Sequence, residues 1–264
     1  MQTLTSAHNP LLKDIRKAVH QGGLTQNGCA VAEGYHLLEE ARRGPCRVEA
    51  IVAAESAAST VSADYIVPDV LFAMLASTET TQGVLALVKP KQWTVEEVFQ
   101  SPSFQSPSMV LVLDGIQDPG NAGSLLRAAE AFEATGVLFL KGTVNPFNPK
   151  CIRASAGSVF RVPLLVGGTA SVVEDHKLRV YALAAHAGVP LARADFRGNC
   201  ALIVGSEGQG IRPELIERAQ AIHIPSRGVE SLNAALAGGI ALYEARCQRD
   251  EQRDEQRDER DESV

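Results

Sequence analysis

"MVLVLDGIQDPGNAGSLLRAAEAFEATGVLFL", residues 109–140, decides the fold. Its ends, "MVLVLDGI" and "GVLFL", are short continuous apolar runs, as parallel strands show when both faces of their sheet are covered. Between them, Ala122, Leu125, Leu126, Ala129 and Phe132 share one broad face at helical spacing. The stretch reads as strand, glycine turn, helix, strand. The pattern continues downstream. "VPLLV", "VYALAAH", "ALIVGSEG" and "AIHIPS" are further strand-like runs, and helices are predicted over 121–134, about 149–159, 169–177, 212–219 and about 231–247. Strands alternating with helices specify an α/β domain on a parallel sheet.

Upstream the patterns are shorter. "NPLLKDIRKAVH" sets Leu11, Leu12, Ile15 and Val19 at helical intervals, and "AVAEGYHLLEEARR" continues with Leu37, Leu38 and Ala41. "VEAIVAAE" and "GVLALVKP" read as strands. "FQSPSFQSPSM" is a Ser-, Pro- and Gln-rich linker. At the far end, "RDEQRDEQRDERDE" has no apolar face, and a helix would set its like charges at i,i+4. It reads as a solvated, disordered tail. The partition is a small N-terminal α/β domain over 1–98, a linker over 99–108, the main domain over 109–247 and a charged disordered tail over 248–264.

Composition narrows the function classes. The chain is 45% hydrophobic but 5% aromatic, so its core rests on Ala, Val, Leu and Ile. No apolar run reaches the roughly 18 to 20 residues of a membrane helix, and the N-terminus lacks the apolar core of a secretory signal. The five cysteines are scattered, odd in number and form no C-x-x-C pair, which points to reduced thiols in a cytoplasm and no metal site. Net charge is −6, but residues 244–264 alone carry 5 Arg against 9 acids. The rest is nearly neutral, so nucleic-acid binding would depend on a local patch.

Three glycine-bearing or polar loops follow strands: "DGIQDPGNAGSLLR", "VGSEGQGI" and "IPSRGVESLNAAL". Ligands of open α/β sheets bind outside the carboxyl ends of strands, so the three loops can line one pocket. No segment has the G-x-x-x-x-G-K-[ST] of a phosphate loop. "GSEGQG" has the wrong spacing for a dinucleotide fingerprint and lies late in the domain. No G-x-S-x-G elbow is present. Taken singly, the polar residues have ordinary readings. Asn121 or Ser231 can cap a helix, Glu207 can be a solvated loop acid, and Arg127 can pair with Glu130 at i,i+3. The sharper alternative puts Arg127 beside a helix N-terminus that favours an anion, with Gly123 giving a phosphodiester room to approach.

Together the loops resemble the three motifs of the SpoU family of RNA 2′-O-ribose methyltransferases, in the SPOUT superfamily. "DPGNAGSLLRAAEAF" carries Asn121, Gly123 and Arg127. "LIVGSEGQGI" carries Gly205, Glu207 and Gly208. "IPSRGVESLNAALAGGIALYE" carries Ile224, Pro225, Gly228, Ser231, Leu232 and Asn233. "NPKCIRASAGSVFRVPL", with Arg153, Ser155 and Gly157, is also similar, and the likeness spans roughly residues 109 to 246. The N-terminal zone resembles the small RNA-binding domain of many members. Ser226 stands where members often have Met, and Ala234, Ala235 and Leu236 stand where they often read Ser-Val-Ala.

The resemblance implies a C-terminal trefoil knot, S-adenosylmethionine held in it, and a homodimer with no membrane association. It implies cofactor contacts at Gly205, Gly208, Ile224, Gly228 and Leu232. It also implies catalytic roles for Arg127, Asn121, Glu207, Ser231 and Asn233, with Arg127 as a phosphate clamp and alkoxide donor or, less easily given a guanidinium pKa above about 12, as a base. Ribosomal RNA is the expected substrate, with transfer RNA or a non-catalytic RNA-binding role as alternatives. Lys13, Arg16, Lys17, Arg42, Arg43 and Arg153 are the candidate RNA contacts, or else solvated helix faces.

Overall fold

The computed structural model describes residues 1–100, 107–168, 176 and 178–262, with side chains described as far as 258. Most of the linker and most of the helix expected over 169–177 lie outside the described residues. Contacts divide the chain into two units. The first is 1–92 with 122–127 and 145–161, and the second is 93–121, 128–144 and 162–264.

The first unit carries a mixed five-stranded sheet of β1 (Gln2–Thr3), β2 (Ala30–Glu33), β3 (Arg47–Ala54), β4 (Tyr65–Val67) and β5 (Val84–Lys89), in the order β1-β4-β3-β5-β2. β5 runs antiparallel to β2 and β3, whereas β4 is parallel to β1 and β3. The Pro10–Gln21 helix forms where sequence demands it. Asn9 caps it through the Leu11 amide, Pro10 opens it, and Gly22 closes it at φ 66. Leu12, Ile15 and Ala18 form its buried stripe. "AVAEGYHLLEEARR" does not read through as one pattern. Ala30–Glu33 is a strand, Gly34 turns the chain at φ 97, and the helix is Tyr35–Arg43. Four strand residues are too few to display a period.

The second unit carries the seven-stranded sheet. Its strands are β6 (Met109–Asp114), β7 (Gly136–Leu140), β8 (Leu164–Gly168), β9 (Arg179–Ala184), β10 (Val189–Pro190), β11 (Cys200–Gly205) and β12 (Gln220–His223). The order is β10-β12-β9-β11-β6-β7-β8, and every pairing is parallel. Val110, Val112, Leu138, Ala182, Ala201 and Ile203 meet in one buried cluster, which is why these strands are apolar throughout. The helix after β6 starts at Pro119, not near Asn121, because Asp118 is its cap and accepts from the Asn121 amide. Ala122, Leu125, Leu126 and Ala129 are fully buried, and Phe132 is only half-buried at the helix's end.

The charged tail departs from the expectation of disorder. One helix runs from Ala234 to Glu262. Its apolar first half is packed, with Ala241, Leu242 and Ala245 buried. Arg249 is buried too, donating to the carbonyls of Phe196 (2.8 Å), Pro107 (2.8 Å), Gly198 (2.9 Å) and Ser108 (3.1 Å). Burial lowers its pKa. Arg246 pairs with Asp250 at i,i+4, so favourable pairs interleave with the like-charge repeat. A helix already nucleated and anchored extends at little further cost.

Candidate functional site

Within the second unit, the loops after β6, β11 and β12 surround two cavities. One, about 370 Å³, is walled largely by aliphatic groups, among them Ala182, Leu183, Val204, Gly205, Ile224 and Leu232. The other, about 660 Å³, is the more polar of the two and includes Asp114, Gln117, Asn121, Lys141, Glu207 and Arg212. Ser206, Glu207, Gln209, Gly210, Ile211 and Ala234 border both. The Ser206–Gly210 turn is therefore their shared wall, closed by paired backbone hydrogen bonds between its ends.

Three side chains, from the first turn of the Pro119–Ala131 helix, the Ser206–Gly210 turn and the start of the C-terminal helix, meet on that wall. The Asn121 amide donates to Glu207 Oε1 at 3.1 Å, and the Asn233 amide donates to the same oxygen at 2.8 Å and to Asn121 Oδ1 at 3.1 Å. The Ala234 backbone amide adds a donor to Glu207 Oε1 at 3.4 Å. Asn233 has a second task. Its Oδ1 accepts from the Ala235 and Leu236 amides, so Asn233, rather than Ser231, caps the long C-terminal helix. Ser231 is exposed and borders the apolar cavity.

The glycines separate by role. A Cβ at Gly205 would lie 2.5 Å from the Gly210 carbonyl oxygen and 2.6 Å from the Ile211 nitrogen. Gly205 is thus required to close the turn upon itself. Gly208 and Gly228 face open space; Gly208 borders the polar cavity and Gly228 borders neither. Gly123 corrects the expectation of room for an RNA backbone. It is buried, and a Cβ there would meet Ala154 Cβ at 2.6 Å, the Ser155 nitrogen at 2.9 Å and the Cys151 carbonyl. Its lack of a side chain serves packing between two segments of the chain.

Arg127 is exposed, and its guanidinium has no partner among the described residues, so the pair with Glu130 does not form. It borders neither cavity. Of the other cations, Arg42 pairs with Glu39 (2.7 Å) and Arg43 with Glu40 (2.8 Å) on their own helix. Arg153 donates to the Ser77 hydroxyl. Lys13, Arg16 and Lys17 have no side-chain partner among the described residues.

Sequence reasoning missed the polar cavity's own residues. Asp114, fully buried at the end of β6, takes the Arg212 amide on Oδ2 (2.8 Å) and its guanidinium on Oδ1 (2.7 Å). The Asp114 carboxylate raises the Arg212 pKa further above its ordinary value. The signal was available, because an acid ending an apolar strand stands where open α/β sheets bind ligands.

Comparison with known proteins agrees with this geometry. The model of the SpoU rRNA Methylase family matches residues 108–243. The 23S rRNA (guanosine(2553)-2′-O)-methyltransferase RlmP of Bacillus subtilis (strain 168) is 31% identical over 256 residues, covering 93% of this chain and 100% of that protein. A 23S rRNA (guanosine-2′-O-)-methyltransferase RlmB of Xanthomonas campestris pv. campestris is 38% identical over 151 residues, covering 55% of this chain and 61% of that one. The solved structure of an AdoMet-bound rRNA methyltransferase from Sinorhizobium meliloti matches with a TM-score of 0.78 at 25% identity, covering 92% of this chain and 97% of that chain.

Proposed function

The chain belongs to the SpoU rRNA methylase family, and we propose that it transfers the methyl group of S-adenosylmethionine to a ribose 2′-hydroxyl of ribosomal RNA. The observation that carries this reading is the Asn121–Glu207–Asn233 cluster on a wall between an apolar and a polar cavity. Group transfer between two bound molecules needs two compartments that meet at the reacting atoms.

The apolar cavity fits the donor. Its small aliphatic walls leave a slot for a flat base, edged by loop backbone that can hydrogen-bond. We assign Gly205, Ile224 and Leu232 to hold it. Gly208 stands on the polar side, and Gly228 shapes the loop between Ile224 and Leu232. When bound, S-adenosylmethionine supplies an activated methyl group. The protein's own task is to position the hydroxyl and stabilise its developing charge. Glu207 Oε1 is saturated by three donors, while Oε2 has no partner among the described residues. We assign Oε2 to accept the hydrogen bond of the 2′-hydroxyl. Asn121 and Asn233 fix Glu207, and Ser231 offers a further hydroxyl at the donor's side. Arg127 is assigned to clamp the target phosphate, a role that suits an exposed guanidinium with all its donors unspent.

Ribosomal RNA is favoured over transfer RNA because RlmP, matched over 93% of this chain, and RlmB, matched over its main domain, are both named for 23S rRNA. Lys13, Arg16 and Lys17 are better placed than the paired Arg42 and Arg43 to meet phosphates. We extend to this domain the C-terminal trefoil knot that the family motifs imply. A homodimer is supported by large apolar side chains left exposed on the second unit, Val229 (52%), Leu236 (54%) and Tyr243 (57%) among them. Among the described residues no helix is long and apolar enough to cross a membrane, and all five thiols are free. A cytoplasmic location accords with both.

The test pairs calorimetry with methyl transfer from S-adenosylmethionine to ribosomal RNA. Arg127→Ala is expected to keep cofactor affinity and lose transfer by a factor of about 10² to 10³. Undiminished transfer would remove Arg127 from the chemistry, and absence of cofactor binding by the wild type would refute the enzyme reading.

A further inference from the structure

We propose that a third cavity, within the first unit, takes a phosphodiester of the RNA strand, with Arg153 and Gln82 as its donors. The identity of the polymer rests on the methyltransferase reading above, and the chemistry of the ligand rests on the cavity's own groups. The cavity measures about 310 Å³, and every residue lining it belongs to the first unit. Its wall is small and apolar at Gly34, Leu37 and Ala156. Ala156 holds its backbone at φ 48, one of two described residues other than glycine with positive φ. Strain of this kind persists where the surrounding structure imposes it, and it gathers at ligand clamps.

The rim is unbalanced towards donors. Glu33 is the one acid lining the cavity among the described residues, and both its oxygens are spent. Oε2 takes the Ser77 amide (2.8 Å) and hydroxyl (2.6 Å), and Oε1 takes the Thr78 hydroxyl. Burial works to raise the Glu33 pKa, but the bonds from Ser77 and Thr78 outweigh it and lower it. The Ser77 hydroxyl gives its proton to Glu33, so it can only accept from Arg153 Nη1. Arg153 is thus aimed by a hydroxyl and not neutralised by a carboxylate, whereas Arg43 and Arg161 both pair with Glu40. Its other N–H groups have no partner among the described residues. Gln82 is fixed in a similar way. Its Oε1 accepts from the Tyr35 amide at 3.0 Å and lies where a Cβ on Gly34 would come within 2.7 Å. That orientation turns its Nε2 donors out unspent. The exposed Thr80 hydroxyl and His36 ring add N–H and O–H groups without partners among the described residues. The fitting ligand is therefore negatively charged and rich in acceptors. A phosphodiester meets both conditions, and guanidinium is the side-chain group best suited to bind it. A base edge carries donors as well as acceptors, and would set some of them against this rim.

The experiment uses the full-length protein and ribosomal RNA from cells lacking the gene. It reads RNA affinity over a series of salt concentrations, cofactor affinity by calorimetry, and KM and kcat for methyl transfer. Arg153→Gln is expected to lower RNA affinity about tenfold, the scale of a hydrogen bond to a charged group. The plot of log affinity against log salt should become shallower by about 0.7 to 0.9, the value of one phosphate contact. The loss should fall on KM for RNA and not on kcat or cofactor affinity. Arg153→Lys keeps the charge and is expected to restore the salt slope and part of the affinity. Gln82→Glu keeps the shape of an exposed side chain but sets a carboxylate at the rim, and is expected to weaken RNA binding as well. Arg47→Gln removes a cation already paired with Glu49 and is expected to change neither affinity nor slope. Unchanged RNA affinity and slope in Arg153→Gln, a loss confined to kcat, or an equal loss in Arg47→Gln would each overturn the proposal and leave the enzyme reading standing. RNA binding by the wild type without any methyl transfer would overturn the enzyme reading alone. No RNA binding by the wild type would overturn both.

Discussion

The two cavities share a wall and differ in how their linings are held. In the apolar cavity the side chains continue the sheet's core, and Val204 and Ala182 face it from strands buried for stability in any case. In the polar cavity the groups are held by specific bonds among themselves, Asp114 to Arg212, Gln117 to Gly142 and Asn121 to Glu207. The first should tolerate conservative repacking, whereas the second loses geometry with any one partner. The largest expected effect therefore comes from breaking the wall itself. Gly205→Ala sets a methyl group against the Gly210 and Ile211 backbone, which cannot swing away as a side chain could. Thermal unfolding is expected to show a loss of about 1–3 kcal/mol, and calorimetry is expected to show no measurable cofactor binding. A variant that melts and binds like the wild type would mean the turn is not the common support of both cavities.

Next in size is the link across the wall. Glu207→Gln keeps shape but replaces an oxygen that receives three donors with a weaker acceptor or an amide. Turnover is expected to fall about 10²-fold, far more than cofactor affinity, in single-turnover methyl transfer. Equal losses in both would place Glu207 on the cofactor side alone. Smaller again is Ile224→Asn. It puts an amide into the apolar cavity and is expected to weaken cofactor binding by roughly tenfold, the cost of an imperfectly satisfied polar group. KM for RNA should hold. A change confined to RNA would reverse the assignment of the two cavities.

The difference in construction also governs what was legible beforehand. The parallel sheet could be read because its strands are buried on both faces and announce themselves as continuous apolar runs, as in Met109–Asp114 and Gly136–Leu140. Short strands such as β1, β4 and β10, two or three residues each, carry no such signal. The side chains of Asn121, Glu207 and Asn233 could be grouped through family resemblance, yet not their division of labour. Capping fell to Asp118 and Asn233 because caps are chosen by backbone geometry, and several residues in each loop had suitable side chains. Around Arg249 the repetition of Arg, Asp and Glu suggests solvent everywhere. One Arg of that repeat is nevertheless buried by carbonyls that come from 53, 141 and 142 residues away, and periodicity within a segment holds no information on such partners. Asp114 and Arg212 stand 98 residues apart for the same reason.

The smallest expected effect is also the one that decides most between the two sides of the wall. Gly208 and Gly205 lie three positions apart in one motif, and resemblance assigns both to the cofactor. Their surroundings do not agree with one role. Gly205 is enclosed by backbone, while Gly208 has open space where a side chain would go and borders only the polar cavity. Gly208→Ala should therefore leave folding and cofactor affinity within about 0.5 kcal/mol of the wild type, as for a surface substitution away from special backbone geometry. Any cost should fall on RNA, as a modest rise in KM, because the added methyl group occupies volume that a nucleotide would fill. If calorimetry instead finds cofactor affinity lowered while KM for RNA holds, Gly208 approaches the cofactor after all, and the turn must adopt another conformation when it binds. The pair of alanine variants thus separates a glycine needed to build the wall from one needed to leave room beside it.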